Sequence, residues 1–182
     1  MSLRIPCVAV CAVAFAAALA SSAANAAPPI KGSASGGNDG QLQYTVKVDS
    51  KRFGASEETR KIRSGETDDF NWKSVPPSGA VAMPDGCPDA DSLPRDANGA
   101  MVRQTQVRLA PSVDAKGMAT VQISFQASAP DGTTSVSADG KTLQCPKPVT
   151  VSEVKRVSLS TRGGAKTIAM SDGTRVTVSI QP

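Results

Sequence analysis

Strict alternation of apolar and polar residues is the feature that most constrains this chain, and it is clearest between Val154 and Ile180. Glycine turns at Gly163-Gly164 and Asp172-Gly173 divide that stretch into three short runs. Successive side chains of a strand point to opposite faces, so the alternation places the apolar residues on one face. Glycine tolerates the positive φ angles of tight turns. The stretch therefore predicts a three-stranded antiparallel meander with one buried face.

The same period of two recurs in residues 41–49 and 119–127, and no helical period is sustained. Residues 52–63 are ambiguous, because Ser56-Glu57-Glu58 resembles a helix start while the residues after it suit a polar edge strand. The all-β context favours a strand, with residues 67–75 as its predicted hairpin partner. Short strands with frequent turns indicate an antiparallel β-sandwich or partly open barrel of about eight to ten strands.

The amino terminus has the three-part form of a secretory signal peptide. Arg4 precedes an apolar run, and small residues follow, ending in Ala24-Asn25-Ala26. The run is shorter than the ~20 apolar residues that a membrane span needs. The sequence therefore predicts a signal peptide over residues 1–26, a flexible leader over 27–40 and a single β-rich domain over 41–182. The mature protein is expected in the periplasm or outside the cell, with no membrane span after cleavage.

Two cysteines, Cys87 and Cys145, remain after that cleavage. An even pair in an exported chain usually forms one disulfide, and closing so long a loop stabilises a fold by roughly 4 kcal/mol. The alternative is a reactive thiol, but the chain contains no histidine to activate one. We expect a structural disulfide.

The absence of histidine from the sequence also removes most familiar catalytic machinery. Ser-His-Asp and Cys-His systems and histidine-containing zinc sites are excluded, and two cysteines cannot build a four-cysteine zinc site. There is no P-loop and no dinucleotide-binding glycine motif. The excess of 20 basic over 16 acidic residues is mild and aromatic residues are few, which disfavours nucleic-acid binding. We expect a non-enzymatic protein without a cofactor.

A proline-rich segment, residues 76–100, is the long loop of the predicted fold, and Cys87 would tether it. Residues 64–100 contain seven acidic and two basic residues, whereas the flanking segments are basic. The favoured interpretation is a solvated acidic surface lying over basic sheets, which stabilises little because exposed ion pairs contribute ~0–1 kcal/mol each.

Two sharper interpretations of the acidic segment remain open. Calcium prefers oxygen ligands, and the loop offers Asp85, Asp89, Asp91 and Asp96 as weak candidates, although their spacing departs from the EF-hand pattern. A pair of these carboxylates could instead act in hydrolysis of a glycoside, although few aromatic residues are near to hold a sugar.

Phe70 and Trp72 are weak candidates for a partner-binding site. An exposed tryptophan is a frequent anchor in protein interfaces. The single tryptophan of a small sandwich is more often part of the core, and we favour that interpretation for Trp72.

Residues 107–125 form a strand, an Asp-x-x-Gly turn at Asp114–Gly117 and a second strand, and glycine hairpin turns follow nearer the end. This pattern resembles small exported β-rich periplasmic proteins of Gram-negative bacteria that are uncharacterised. The resemblance implies an exported β-domain and carries over no catalytic residue.

The expected function is therefore an exported, non-enzymatic binding or interaction module of the cell envelope, whose partner is an envelope protein or a glycan. One alternative is a structural subunit of a surface or periplasmic assembly, completed by a neighbour's strand. The other is a calcium-binding or carboxylate-dependent hydrolytic protein that uses the acidic loop.

Overall fold

Two four-stranded antiparallel sheets face each other across one apolar core. The computed structural model describes residues 40–88, 90 and 93–181, which all belong to one compact unit, Gly37–Pro182. The strand order is β2-β1-β8-β7 in the first sheet and β3-β4-β5-β6 in the second, and neither closes into a barrel. The predicted all-β fold is confirmed as a sandwich. Its strands are β1 (Gln41–Ser50), β2 (Gly54–Arg63), β3 (Asp68–Ser74), β4 (Arg103–Val113), β5 (Met118–Ala138), β6 (Lys141–Ser160), β7 (Gly164–Ala169) and β8 (Arg175–Gln181).

The core forms because alternate residues of the central strands point inward from both sheets. Tyr44, Phe70 and Phe125 are the largest side chains that are fully buried. Phe53 meets the ring of Phe125 edge to face at 6.4 Å between centroids. Burying a large apolar side chain stabilises a fold by ~1.5–3 kcal/mol. The buried side chains therefore stabilise the sandwich although the chain contains few aromatic residues.

The predicted three-stranded meander is only partly correct. β7 and β8 form the expected hairpin, and the Met170 N–H donates to the Thr174 carbonyl at 2.8 Å across its turn. β6 instead pairs with β5 in the second sheet, so the glycines at 163–164 carry the chain from one sheet to the other. The alternation specified the buried face of each strand but not its neighbour.

Residues 54–63 form a strand, as favoured over the helix, but its predicted pairing with residues 67–75 is wrong. β2 pairs with β1, and β3 pairs with β4 in the second sheet. The connection between β2 and β3 therefore crosses from the first sheet to the second. Within this connection, the Gly65 N–H donates to the carbonyl of Pro111 on β4 at 2.8 Å.

β5 and β6 extend well beyond β4, which pairs with β5 only as far as Ser128. We call the extension, residues 129–138 and 141–149, the arm. It turns at Asp139-Gly140, where φ is 50° and 74°, and paired positive φ angles suit a two-residue hairpin turn. At Asp131-Gly132 the pairing is interrupted by a bulge inside β5, between Pro130 and Thr133.

The predicted signal peptide and, except for Gly40, the predicted leader lie outside the described residues. From residue 40 to residue 181, leaving aside positions 89, 91 and 92, we find no helix with the length and apolar character needed to cross a bilayer.

Candidate functional site: an uncharged groove on the second sheet

A groove runs across β4, β5 and β6 on the face of the second sheet that points away from the core. Strand register lines up its polar residues in rows: Gln106 lies opposite Gln126, Gln126 opposite Ser152, and Ser128 opposite Thr150. The groove has a volume of about 400 Å³, which is within the range of ~300–1,000 Å³ typical of ligand sites.

The groove is lined by amide and hydroxyl side chains together with a short apolar wall from the proline-rich loop. Among its described lining residues there is no charged side chain. A second depression of about 330 Å³ continues over the same strands towards Asp69 and Arg108. The lining residues of the groove are Leu93, Pro94, Gln104, Gln106, Gln126, Ala127, Ser128, Thr150, Val151 and Ser152.

Several polar groups in the groove have no partner among the described residues. The Ser128 hydroxyl is shielded from solvent and makes no hydrogen bond to any residue the structure describes. Gln104 and Gln106 each donate through Nε2 only, to Asn71 at 3.2 Å and Asp69 at 3.3 Å, which leaves their carbonyl oxygens available. Because the Ser128 hydroxyl is shielded, a ligand in the groove would contact the exposed Gln126, Thr150 and Ser152 instead.

Beyond the groove, some side chains of the same sheet face are engaged by their own neighbours. The Gln122 amide oxygen accepts from Arg156 Nε at 3.1 Å and Nη2 at 3.0 Å. Arg108 donates two hydrogen bonds to the Asp69 carboxylate, both at 2.8 Å. The hydrogen bonds from Arg108 are the main cause that holds the pKa of Asp69 below its usual value, and they outweigh burial, which raises it. Gln122, Arg156, Asp69 and Arg108 are therefore already engaged with one another beside the groove.

The predicted disulfide is present and holds the loop that forms the groove wall. Cys87 and Cys145 are bonded with their Cα atoms 5.6 Å apart and 58 residues apart in sequence. Next to it, Gly86 lies so close to Leu143 of the arm that a Cβ there would be 3.4 Å from Leu143 Cδ1. Farther along, the Val102 N–H donates to the Pro94 carbonyl at 3.0 Å. The disulfide and the hydrogen bond between Val102 and Pro94 thus hold the loop that forms the wall.

The acidic residues of the loop do not form a metal-binding group within the described part of the chain. Within residues 40–88, 90 and 93–181, no three acidic or cysteine side chains form a group that could hold a metal ion. Asp89 and Asp91 lie outside the described residues. Asp85 is exposed, and Asp96 Oδ1 accepts from the Asn98 and Ala100 N–H groups at 2.9 Å each. Asp96 thus stabilises its own turn.

The two aromatic candidates belong to the interior. Phe70 is fully buried, and Trp72 is half-buried against the core, with 6.0 Å between the ring centroids. The Arg60 guanidinium covers the outer side of the Phe70 ring at 4.8 Å. Phe70 therefore has no free surface for a partner.

Sequence reasoning missed the groove, although a signal was present. Glutamines alternate with core residues at Gln104 and Gln106 on β4 and again at Gln122 and Gln126 on β5. Alternation places each pair on the outer face, but only the register shows that Gln106 and Gln126 are neighbours.

These features define an antiparallel β-sandwich protein with an uncharged polar groove on one sheet. The chain belongs to a family of unknown function (DUF6013), whose model matches residues 1–182. No curated protein and no solved structure matches the chain.

Proposed function

We propose that this protein is an exported, non-enzymatic binding module of the cell envelope and that its ligand lies in the groove of the second sheet. One observation carries the proposal: Gln126, Thr150 and Ser152, which are exposed and have no side-chain hydrogen bond to a described residue, lie together in one concave site whose described lining is uncharged. Ligand sites commonly combine an apolar wall with a few polar groups that fix orientation.

Binding without catalysis is favoured because of which side chains the groove holds. General acid–base catalysis needs a titratable group within hydrogen-bond reach of the substrate. The polar side chains of the described lining are amides and hydroxyls, and the neighbouring Asp69 carboxylate is engaged by Arg108 and Gln106. The disulfide and the predicted signal peptide support export, because disulfides persist in oxidising compartments. The expected partner is an envelope protein or a glycan.

Blocking the groove tests the proposal. Ser152 and Ser158 are both exposed on the outer face of β6, but only Ser152 lines the groove. Tryptophan is well tolerated on an exposed strand position, so neither Ser152→Trp nor Ser158→Trp should impair folding. We expect wild type and Ser158→Trp to bind a fraction of envelope extract that Ser152→Trp does not, measured by equilibrium dialysis. Equal binding by all three proteins, or binding by none, contradicts the proposal.

A further inference from the structure

We infer that the groove binds a neutral oligosaccharide, an inference that rests on the proposed function and specifies the ligand class. The chemistry of the lining carries it. Gln126, Thr150 and Ser152 present an amide and two hydroxyls in neighbouring strands. Each of these groups both donates and accepts hydrogen bonds.

Sugar hydroxyls likewise both donate and accept hydrogen bonds. A glutamine amide can donate through its NH₂ and accept through its carbonyl oxygen, which matches two adjacent hydroxyls of one sugar ring. None of the side-chain polar groups of Gln126, Thr150 and Ser152 has a hydrogen bond to another described residue, so all are available to such a ligand.

The described lining favours a neutral ligand over an acidic or basic one. A charged group placed in the groove would lose water and find no countercharge among the described lining residues. The neighbouring Arg108 is already engaged by both carboxylate oxygens of Asp69. A neutral ligand avoids this desolvation penalty.

An extended peptide fits the groove less well than a sugar. The backbone groups of β5 are used by pairing with β4 and β6, so the groove offers hydrogen bonds from side chains only. Peptides that bind sheets usually add a strand at an edge, where free backbone groups await them. Leu93 and Pro94 instead give an apolar wall suited to the C–H face of a sugar ring.

The test uses isothermal titration calorimetry with the full disulfide-bonded protein. The probes are neutral hexasaccharides of several linkages, an oligouronate of equal length, and an uncharged octapeptide. We expect a neutral hexasaccharide to bind and the oligouronate and the octapeptide not to bind. Gln126→Ala should weaken binding about three- to tenfold, the usual effect of losing one hydrogen bond.

Gln122→Ala is the matched control for this variant. Gln122 lies on the same strand and face, outside the groove, and is engaged by Arg156. Its replacement should change the dissociation constant by less than about twofold. A Gln122→Ala effect equal to that of Gln126→Ala overturns the inference, because it would indicate a non-specific change of the sheet.

The outcomes also separate the ligand class from the function. If no neutral hexasaccharide binds, or if only the oligouronate or the octapeptide does, the inference is wrong. When that happens while Ser152→Trp still abolishes binding of an envelope fraction, the groove is a binding site with another ligand. If the envelope fractions also fail to bind, both the inferred ligand class and the proposed function are wrong.

Discussion

Tyr44 places a phenol hydroxyl in the centre of the core without a hydrogen-bond partner in the described part of the chain. Burial raises the pKa of this tyrosine to about 12. Because the hydroxyl loses water and gains nothing in return, Tyr44→Phe should raise the free energy of unfolding by about 1 kcal/mol, measured by urea denaturation. A lower free energy of unfolding would show that the hydroxyl has a partner, such as buried water. Tyr44 is the only tyrosine, so the absorbance of phenolate directly reports its pKa.

Glu153 is a charged residue on the inward side of β6, opposite the core residue Phe125. It accepts hydrogen bonds from the Ser171 hydroxyl and from the Ser171 N–H, the latter at 2.6 Å. These bonds, chiefly the one from the hydroxyl, and Lys155 at 3.1 Å lower the pKa of Glu153 to about 2. The carboxylate thus joins β6 to the turn between β7 and β8.

This lowered pKa predicts a dependence of stability on acid. A group whose pKa falls on folding stabilises the fold above its unfolded value, here 4.5, and that stabilisation is lost as the pH falls towards 2. Glu153→Gln should therefore destabilise the protein near neutral pH, with a difference from wild type that shrinks below about pH 4. Urea denaturation across this range measures it. Glu57→Gln, on an exposed side chain, is the control and should show little difference at any pH.

At the scale of elements, charged side chains cover both open sides of the sandwich. Arg60 of the edge strand β2 donates to Glu58 at 2.6 Å, to the Asp68 carboxylate at 2.9 Å and to the Asp69 carbonyl at 3.0 Å. Glu153 has the matching place on the edge strand β6. Inward-pointing charges on edge strands disfavour pairing with other chains, so these residues protect edges that β-sandwiches otherwise expose.

Arg60→Ala should lower the free energy of unfolding by about 2 kcal/mol, because it removes charged hydrogen bonds and uncovers Phe70. Arg63→Ala on the same strand is the control, since its ion pair with Glu66 is 3.9 Å long and exposed, and it should change stability by less than about 0.5 kcal/mol. If chemical denaturation gave the two variants the same loss in free energy of unfolding, the inward position of Arg60 would have no special effect on stability.

The disulfide couples the loop to the arm. Cys87 and Cys145 are 7% and 2% exposed, so a double replacement by serine loses the covalent link within a packed contact. The Cys87→Ser/Cys145→Ser protein should unfold with a free energy lower by up to about 4 kcal/mol. Wild type melted with reductant should approach the same value. Melting that does not respond to reductant would show that the link contributes nothing to stability.

For the whole molecule, alternation in the sequence was enough to predict the fold class, the all-β context favoured the β2 strand, and the even pair of cysteines predicted the disulfide. Strand neighbours were not predictable, because a period of two specifies which face is buried and leaves pairing to contacts distant in sequence. The meander failed at Gly163-Gly164 for this reason, and so did the pairing of β2 with residues 67–75. The groove was not predictable for the same reason. Gln106, Gln126 and Ser152 lie on three different strands, and only the register of those strands brings them together.

The most direct test of the account is the side-chain amide spectrum of ¹⁵N-labelled protein, because glutamines lie on both sheets. Gln104, Gln106 and Gln126 line the groove, whereas Gln43 and Gln181 lie opposite each other on the first sheet. On titration with separated polysaccharide and protein fractions of the envelope, we expect at least one fraction to shift the groove amides and leave those of Gln43 and Gln181 unchanged. Shifts confined to the first sheet, or no shift with any fraction, would contradict the assignment of the groove as the binding site.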